Sequence, residues 1–399
     1  MKFSETDIKL MQLIQRRKLS KASIRKYNVV FREVFELFGK TPSQLIVEAK
    51  KEEQPFNNEE GIPRVLDLSD RKVTSYQLLY NNFLENKGNS EGVKKHKIVY
   101  FRALFKEYDI KLPKMIKYNT LISRTRIKDI PSWDDVKRSL NYCKSNRDKA
   151  LVSLLSTSGM RGGDIVSLTI QDFLEATSIY NHKSNLDKLL AKNPYDIIPC
   201  YDFFPEKTKN EGNLCITYNT GECSYYIFEH IKERIEEGHS VELESALFRN
   251  TGNHDFLTAD WLRRILKSLN LSLNIGRDKN GLYGKFRGHN IRKLFSTTCR
   301  RNITNVLVKG DKYSELDVVS ILTGHVPPNM SNSDIYDAVD SEDGFDTYLR
   351  NIYEALIPYL TIDKEVYPVV NKTNSLEDEI MKIKKSVDVL LNNKSQLVS

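Results

Sequence analysis

Two separate segments of the chain each contain an arginine that lies three residues from another charged or titratable side chain. The segment TSGMRGGDIVSL contains Arg161 and, three residues later, Asp164. The segment GHNIRKLFSTT contains His289 and Arg292, whose spacing places both side chains on one face of a predicted helix. Guanidinium groups bind anionic oxygens through planar bidentate hydrogen bonds, and imidazoles accept or release protons. The two segments therefore suggest a site that binds an anion and moves a proton.

Two further segments add a lysine and a tyrosine to this set. The stretch FFPEKTKNEGNLCITY predicts a hairpin with Lys207 and Lys209 at its turn. The stretch LTGHVPPNMSNSDIYDAV contains His325 and, eleven residues later, Tyr336. Because the chain has 61 basic residues and 20 tyrosines, no single one of these side chains identifies a site. The prediction rests on their joint order and spacing.

Together the four segments resemble the tyrosine recombinase family, the integrases and site-specific recombinases of the lambda integrase type. The family's R-x-x-[ED]-[LI]-x-x-L motif is matched by RGGDIVSL, its H-x-x-R box by HNIR, and its L-G-H box by LTGH with an inserted Thr. The resemblance covers residues 130–345 by motif, and the stretch GKTPSQLIVEAKKEE is similar to archaeal integrases. The positions that match the family's catalytic set are Arg161, Asp164, Lys209, His289, Arg292, His325 and Tyr336.

Two of these assignments have named alternatives. Lys207 is the second choice for the hairpin lysine, because it lies two residues before Lys209 at the same predicted turn. The loop between His325 and Tyr336 is longer than is usual in the family, which leaves Tyr348 and Tyr353 as the nearest competitors for the nucleophile.

The resemblance implies cleavage and rejoining of DNA through a covalent 3′-phosphotyrosyl intermediate. Arg161 and Arg292 would bind the phosphate oxygens, which carry extra negative charge in the transition state. His289 would help accept the phenolic proton, His325 would hydrogen-bond a non-bridging oxygen, and the hairpin lysine would protonate the leaving 5′ oxygen. Asp164 would orient the first arginine or a histidine. Neither a metal, a cofactor nor ATP is expected, and the sequence lacks a G-x-x-x-x-G-K-[ST] loop.

Charge is concentrated near the amino terminus. Residues 1–127 contain 26 Lys and Arg against 15 Asp and Glu, a net +11, whereas the whole chain carries +8. Such asymmetry predicts a module that binds a polyanion, here double-stranded DNA. The basic side chains predicted to contact DNA are Arg16, Arg17, Lys18, Lys21, Arg25, Lys26, Arg32, Lys94, Lys95, Lys97, Arg124 and Arg126.

The expected fold is mainly α with a small antiparallel β-sheet. An all-helical, SAM-like core-binding domain is predicted over residues 1–110, followed by a basic linker over 111–130 and a mixed α/β catalytic domain over 131–345. Within the last of these, residues 195–226 alternate in a way that predicts two or three strands. A helical extension over 346–399 carries an apolar seam with heptad-like spacing, which predicts docking on a second protomer or on the chain itself. The seam consists of Leu376, Ile380, Ile383, Val387 and Leu390.

Other functions remain open at this stage. A DNA-binding protein that has kept the fold without catalysis, a type IB topoisomerase-like enzyme and a metal-dependent transposase or nuclease are the alternatives. The resemblance implies a dimer on one DNA site and a tetramer in the synapse. No segment is apolar for long enough to span a membrane, and the five cysteines are an odd number without C-x-x-C pairing. We therefore expect a cytoplasmic protein, and the resemblance implies that it comes from a prokaryotic cell, a virus or a mobile element.

Overall fold

The computed structural model describes residues 2–57, 59–119, 126–181, 185–239, 241–250, 255–277, 283–307, 314–327 and 345–363. The chain divides into two compact units, the first ending at residue 124 and the second beginning at residue 125. The described residues are mainly helical, and their strands form two small two-stranded antiparallel sheets. The predicted fold class is therefore confirmed.

The amino-terminal unit is a helical bundle with one short hairpin. Its helices are α1 (Phe3–Thr6), α2 (Ile8–Arg16), α3 (Lys21–Phe38), α4 (Pro42–Glu52), α5 (Lys72–Asn86) and α6 (Glu91–Glu107), and its strands are β1 (Phe56–Asn57) and β2 (Pro63–Arg64). Helix α3 begins at the capping residue Ser20 and ends at Gly39, whose φ of 65° is left-handed. Its apolar stripe, which includes Phe31 and Val34, is buried in the core of the bundle. Helix α4 opens with a capping box between Thr41 and Gln44.

The first part of the predicted linker packs on the amino-terminal unit. The backbone N–H of Lys111 donates to Glu53, and the carbonyl of Pro113 accepts from Arg102 at 2.7 Å. The hydroxyl of Tyr118 donates to Asn81 at 2.8 Å. These contacts explain why the first unit continues past residue 110, because the extended segment supplies backbone partners to buried side chains.

The second unit is built around helix α8. Its helices are α7 (Trp133–Tyr142), α8 (Asn146–Ser158), α9 (Gly162–Ile165), α10 (Ile170–Ala176), α11 (Ser178–Asn181), α12 (Leu186–Leu190), α13 (Gly221–Glu236), α14 (Ala259–Leu273), α15 (Gly288–Asn302), α16 (Glu315–Leu322) and α17 (Phe345–Leu360). Side chains around the whole circumference of α8 are buried, and the helix packs against both α13 and α15. A helix that is apolar or small on every side belongs in the core.

One hairpin, β3 (Cys200–Phe203) with β4 (Cys215–Tyr218), lies between α12 and α13. Its register pairs Cys200 with Tyr218 and Phe203 with Cys215. The prediction of strands up to residue 226 was wrong at its carboxyl end. Thr220 caps α13 by accepting from the backbone N–H of Cys223, so the alternating residues that follow belong to a helix.

Two apolar clusters of the second unit meet at helix α15. One contains Ile291 and Leu294 with residues of α8, α13 and α14. The other contains Phe295 and Cys299 with residues of β4, α16 and α17. Helix α15 is thereby fixed on both sides, which holds its amino-terminal residues in place. The heptad-like seam over residues 376–390 lies outside the described residues.

Candidate active site

Arg161 lies just after the end of helix α8. Gly159 terminates the helix with a φ of 65°, a conformation that favours glycine. A Cβ at this position would lie 2.3 Å from Cδ1 of Phe295. The segment can therefore pass closely over α15, and Arg161 then stands at the start of α9.

The first turns of α15 present His289 and Arg292. The guanidinium of Arg292 donates one N–H to the carbonyl of Gly159 and another to the carbonyl of Thr323. A guanidinium carries five N–H groups, so these two bonds leave others for a ligand. His289 lies almost one helical turn before Arg292, and its side chain is partly exposed.

The segment Thr323-Gly324-His325 forms the carboxyl-terminal cap of α16. The N–H of His325 donates to the carbonyl of Ser320, and the N–H of Gly324 donates to the carbonyl of Ile321, both at 2.9 Å. This pair of bonds, with Gly324 at a φ of 58°, is a Schellman motif. A Cβ on Gly324 would lie 3.0 Å from Cβ of Cys215. The glycine of the L-x-G-H box is thus required by the geometry of a helix end.

Both arginines contact this cap. Arg292 binds the carbonyl of Thr323, and Nη2 of Arg161 donates to the carbonyl of Gly324 at 3.4 Å. Two arginines that lie 131 positions apart in the sequence therefore meet at two consecutive carbonyl groups. The structure brings together Arg161, Arg292 and His325, which the sequence placed in one site.

The two guanidinium groups form a pocket of positive charge. Burial, with a further contribution from the charge of Arg161, lowers the pKa of Arg292 to about 10. Within the described ranges no acceptor reaches Nη1 of Arg161, although this nitrogen is buried. A buried donor without a partner beside a second cation is suited to an anionic oxygen, which would supply the missing acceptor.

Both histidines are held neutral near pH 7. The pKa of His325 is lowered to about 4 by burial and then by Arg292, Arg161, Arg300 and Lys207. The pKa of His289 is lowered by burial and by a set of neighbouring cations that includes Lys207. A neutral imidazole retains one nitrogen that accepts a proton, so both groups are available as bases.

Asp164 has a different contact from the one expected. Its Oδ1 accepts the backbone N–H of Glu206 at 3.2 Å, and burial raises the pKa of the carboxyl group. The expected hydrogen bond to an arginine or histidine is absent from the described contacts of this side chain. Asp164 instead fixes the first residues of the turn between β3 and β4, immediately before Lys207.

The structure favours Lys207 over Lys209 as the lysine that faces the site. Both side chains are exposed on the turn between β3 and β4. Lys207 is among the charges that most lower the pKa of both His289 and His325, and Lys209 is not. Since Coulomb interactions fall with distance, this difference favours Lys207 as the lysine nearer to the two imidazoles.

Of the three tyrosines considered for the nucleophile, the structure describes two. Tyr336 lies outside the described residues. The ring of Tyr353 is fully buried, and its hydroxyl donates to the carbonyl of Thr157 at 2.7 Å, so this tyrosine supports the end of α8. Tyr348 is half-buried and packs against the cluster around β4, α16 and α17. Neither packed tyrosine has the accessibility that a nucleophile needs.

This chain is similar to solved structures of recombinases and integrases. XerH site-specific recombinase bound to its difH substrate is 18% identical, with 81% of this chain and 80% of that chain covered and a TM-score of 0.46. The Tn1549 transposon integrase in complex with circular intermediate DNA is 11% identical, with 86% and 98% covered and a TM-score of 0.47. The integrase from mycobacterium phage Brujita is 13% identical, with 88% and 90% covered and a TM-score of 0.34.

No protein-family model and no curated protein matches the chain. The solved structures belong to the class of protein that the sequence motifs resemble. Their identities of 18% or less and TM-scores below 0.5 do not by themselves assign an activity. The assignment of a function therefore depends on the geometry of this site.

Most of the basic side chains predicted to contact DNA are exposed. The exposed ones are Arg16, Arg17, Lys18, Lys21, Arg25, Lys26, Arg32, Lys95 and Arg126. Two of them already have an acidic neighbour, since Arg16 and Arg17 pair with Glu107 at 3.7 and 2.7 Å. Arg124 lies outside the described residues.

Two lysines of α6 correct the predicted DNA-binding set. Lys94 is only 5% exposed and its ammonium group contacts Glu91 and Glu85. Lys97 is half-buried and pairs with Glu33 at 2.7 Å. These ammonium groups are directed to partners within the bundle, because a buried charge requires a counterion. Of this basic cluster on α6, Lys95 is the lysine that faces solvent.

Sequence reasoning missed a basic cavity between α14 and the segment before α15. Its volume is about 410 Å³, and its lining includes Arg263, Lys267, Arg277 and Arg287. The guanidinium of Arg287 lies 4.8 Å from the ring centre of Tyr283. The signal in the sequence was the amphipathic period of α14, whose exposed face repeats basic residues at positions 263 and 267.

Metal-binding clusters and membrane-spanning helices are both absent from the described residues. Across the described ranges, no group of three or more His, Cys, Asp or Glu side chains is arranged to hold a metal ion. No helix in the described part of the chain has both the length and the apolar character to cross a membrane.

Proposed function

We propose that this protein is a site-specific DNA recombinase that cleaves and rejoins DNA through a covalent 3′-phosphotyrosyl intermediate. The observation that carries the proposal is the meeting of Arg161 and Arg292 at one helix cap. There the buried Nη1 of Arg161 lacks an acceptor within the described residues. Two guanidiniums that form no ion pair with a carboxylate among the described residues fit a phosphodiester, whose transition state gains negative charge on the same oxygens.

The side chains around the arginines supply the other parts of a transesterification. The phenolic oxygen of Tyr336 attacks phosphorus, and the bond from phosphorus to the 5′ oxygen breaks. The neutral imidazoles of His289 and His325 are the groups able to accept the phenolic proton. Lys207, on the hairpin turn, supplies a proton to the leaving 5′ oxygen. The reverse reaction restores the phosphodiester and releases the tyrosine.

The exposed basic residues of the amino-terminal unit and the basic cavity beside α14 are proposed to hold the DNA backbone. Phosphate contacts of this kind position a duplex and make its binding depend on salt. The XerH and Tn1549 structures contain DNA substrates, which supports a DNA ligand here. Self-association as a dimer on one site and a tetramer in the synapse is part of the same proposal. Light scattering of the protein with and without paired DNA sites measures it, and a complex that stays at one protomer per site would contradict it.

A suicide substrate tests the chemistry. The protein is incubated with duplexes that carry a nick near the proposed cleavage position, and covalent adducts are separated by denaturing electrophoresis. We expect an adduct with the parental protein in the presence of EDTA, and none with Tyr336→Phe. Tyr348→Phe is the matched control and should still form the adduct.

Each contrary result has a distinct meaning. An adduct that persists in Tyr336→Phe would show that another residue is the nucleophile. Loss of cleavage on addition of EDTA would favour a metal-dependent nuclease. DNA binding without any adduct would indicate a binding protein that has kept the fold.

A further inference from the structure

Lys207 lies inside a tight turn of the segment that connects β3 and β4. The backbone N–H of Thr208 donates to the carbonyl of Pro205 at 2.9 Å, so residues 205–208 form a turn in which Lys207 is the third residue. Pro205 is buried at the start of this turn, whereas the side chains of Glu206 and Lys207 are exposed. The position of the lysine therefore depends on what holds the backbone of the turn.

A buried carboxyl group, that of Asp164, holds this backbone. Its Oδ1 accepts the N–H of Glu206 at 3.2 Å, and Asp164 is only 6% exposed. Because the bond is partly buried, water replaces it poorly when the acceptor is removed. Glu206 directly precedes Lys207, so a shift of its N–H group also moves the lysine.

The elements that hold the turn also hold the first arginine. Within the single turn of α9, the N–H of Asp164 donates to the carbonyl of Arg161 at 2.9 Å. The turn also lies close to the cap of α16, because a Cβ on Gly324 would lie 3.2 Å from Cγ of Pro205. The carbonyl of the same glycine accepts from Arg161. The lysine turn and Arg161 are therefore fixed to the same two elements.

We propose that Asp164 is a positioning residue for the protonation of the leaving group, in place of the expected partner of an arginine or histidine. This inference rests on the proposed function. By fixing Glu206, Asp164 places the ammonium group of Lys207 beside the bond from phosphorus to the 5′ oxygen. As that bond breaks, a proton passes from Nζ of Lys207 to the 5′ oxygen, and the neutral lysine takes the proton back during rejoining. The R-x-x-D spacing then joins Arg161 to the placement of this acid through one turn of helix.

Two substitutions separate the acceptor from the charge of Asp164. Asp164→Asn keeps a carbonyl oxygen that can accept the N–H of Glu206, so it should cleave at close to the parental rate. Asp164→Ala removes the acceptor. We expect its single-turnover cleavage to fall by about 10- to 10²-fold, because a displacement of about 1 Å in an active site can cost about 10²-fold. Binding of uncleaved DNA should be the same in all three proteins.

A substrate with sulfur in place of the 5′ bridging oxygen shows which step is affected. A thiolate leaves without needing a proton, so Asp164→Ala should cleave this substrate at close to the parental rate. Arg161→Ala is the comparison, since it lacks a group proposed to bind the phosphate oxygens and sulfur should not restore its rate. Asp164→Ala that stays slow on the sulfur substrate, or Asp164→Asn as slow as Asp164→Ala on the normal one, would overturn the proposal.

Hydrogen exchange of the Glu206 amide tests the contact without DNA. In protein with nitrogen-15 glutamate, this amide is assigned by the resonance that disappears in Glu206→Gln. Its exchange should be faster in Asp164→Ala than in the parental protein and in Asp164→Asn, and equal exchange in all three would contradict the positioning role. A parental protein that forms no covalent adduct would refute the proposed function, and the role in protonation with it, whereas the exchange pattern would still report the contact.

Discussion

At the scale of single residues, the site is defined by two arginines whose N–H groups are not all used by hydrogen bonds within the described residues. Arg292 and Arg161 are tied to carbonyl groups of one helix cap, and a buried N–H of Arg161 finds no acceptor among the described residues. Buried donors normally have partners, so the missing acceptor indicates a ligand. The residue type alone does not show this, because the chain has 61 Lys and Arg residues.

Removing one of the two guanidiniums should impair chemistry more than binding. Among the described residues, Arg161 makes one long hydrogen bond, at 3.4 Å to the carbonyl of Gly324, so Arg161→Ala should fold normally. By analogy with the loss of one oxyanion donor, we expect cleavage to fall by about 10²- to 10³-fold. Single-turnover cleavage at saturating protein measures it. Arg301→Ala, an exposed arginine at the end of α15, is the control and should cleave at the parental rate.

The choice between the two hairpin lysines can be tested through the leaving group. If Lys207 protonates the 5′ oxygen, Lys207→Ala should cleave a normal phosphodiester at a rate about 10²-fold or more below that of the parental protein. In a substrate with sulfur in place of that oxygen, the thiolate leaves without needing a proton. Lys207→Ala should therefore cleave this substrate at close to the parental rate. Lys209→Ala is the matched control. Rescue by sulfur in Lys209→Ala alone would return the role to Lys209.

At the scale of elements, helix ends hold the site together. The end of α8 provides the carbonyl of Gly159 to Arg292, and the end of α16 provides those of Thr323 and Gly324. Both ends use glycines with positive φ. Behind them, α13 closes the core with His230, whose Nε2 contacts the carbonyl of Leu247 at 3.2 Å. The stability of this packing is what keeps the helix ends in place.

The buried histidine of helix α13 should make the second unit less stable at acidic pH. Burial, with Arg234 and Arg147 nearby, lowers the pKa of His230 to about 3 in the folded protein. The unfolded chain then binds more protons below the ordinary histidine pKa of about 6.5, so stability falls as the pH falls from 6.5 toward 3. At pH 5 the loss is about 2 kcal/mol of unfolding free energy.

Urea unfolding at pH 7 and pH 5 measures this loss. His230→Gln removes the titrating group, so the difference in unfolding free energy between the two pH values should shrink by about 2 kcal/mol. His239→Gln, which replaces a partly exposed histidine beside Glu237, serves as the control. Equal pH dependence in His230→Gln and the parental protein would show that another buried group causes the acid sensitivity.

At the scale of the whole molecule, charge and chemistry lie in different units. Residues 1–127 carry +11, whereas every proposed catalytic residue lies beyond residue 160. Charged side chains that face solvent contribute to binding through the release of counterions from DNA. Binding and cleavage should therefore be separable by mutation.

The outer face of α3 offers the clearest test of that separation. Replacing Arg25, Lys26 and Arg32 with Ala should flatten the slope of log K against log salt by as much as about 2.7, if each contacts one phosphate. Cleavage by DNA-saturated protein should change little. Lys72 and Lys87 already pair with Glu48 and Glu36, so their replacement should alter the slope less. A full salt slope in the α3 variant would show that this face does not contact DNA.

The sequence by itself was enough to predict the helical class and to place Arg161, Arg292 and His325 in one site. These features depend on local periods and on motifs whose spacing is read along the chain. Only the tertiary structure decided which neighbours those residues have. It directed Asp164 to the hairpin turn, buried Lys94 and Tyr353, and favoured Lys207 over Lys209. Burial and contact depend on segments far apart in sequence, so the spacing of residues along the chain does not contain them.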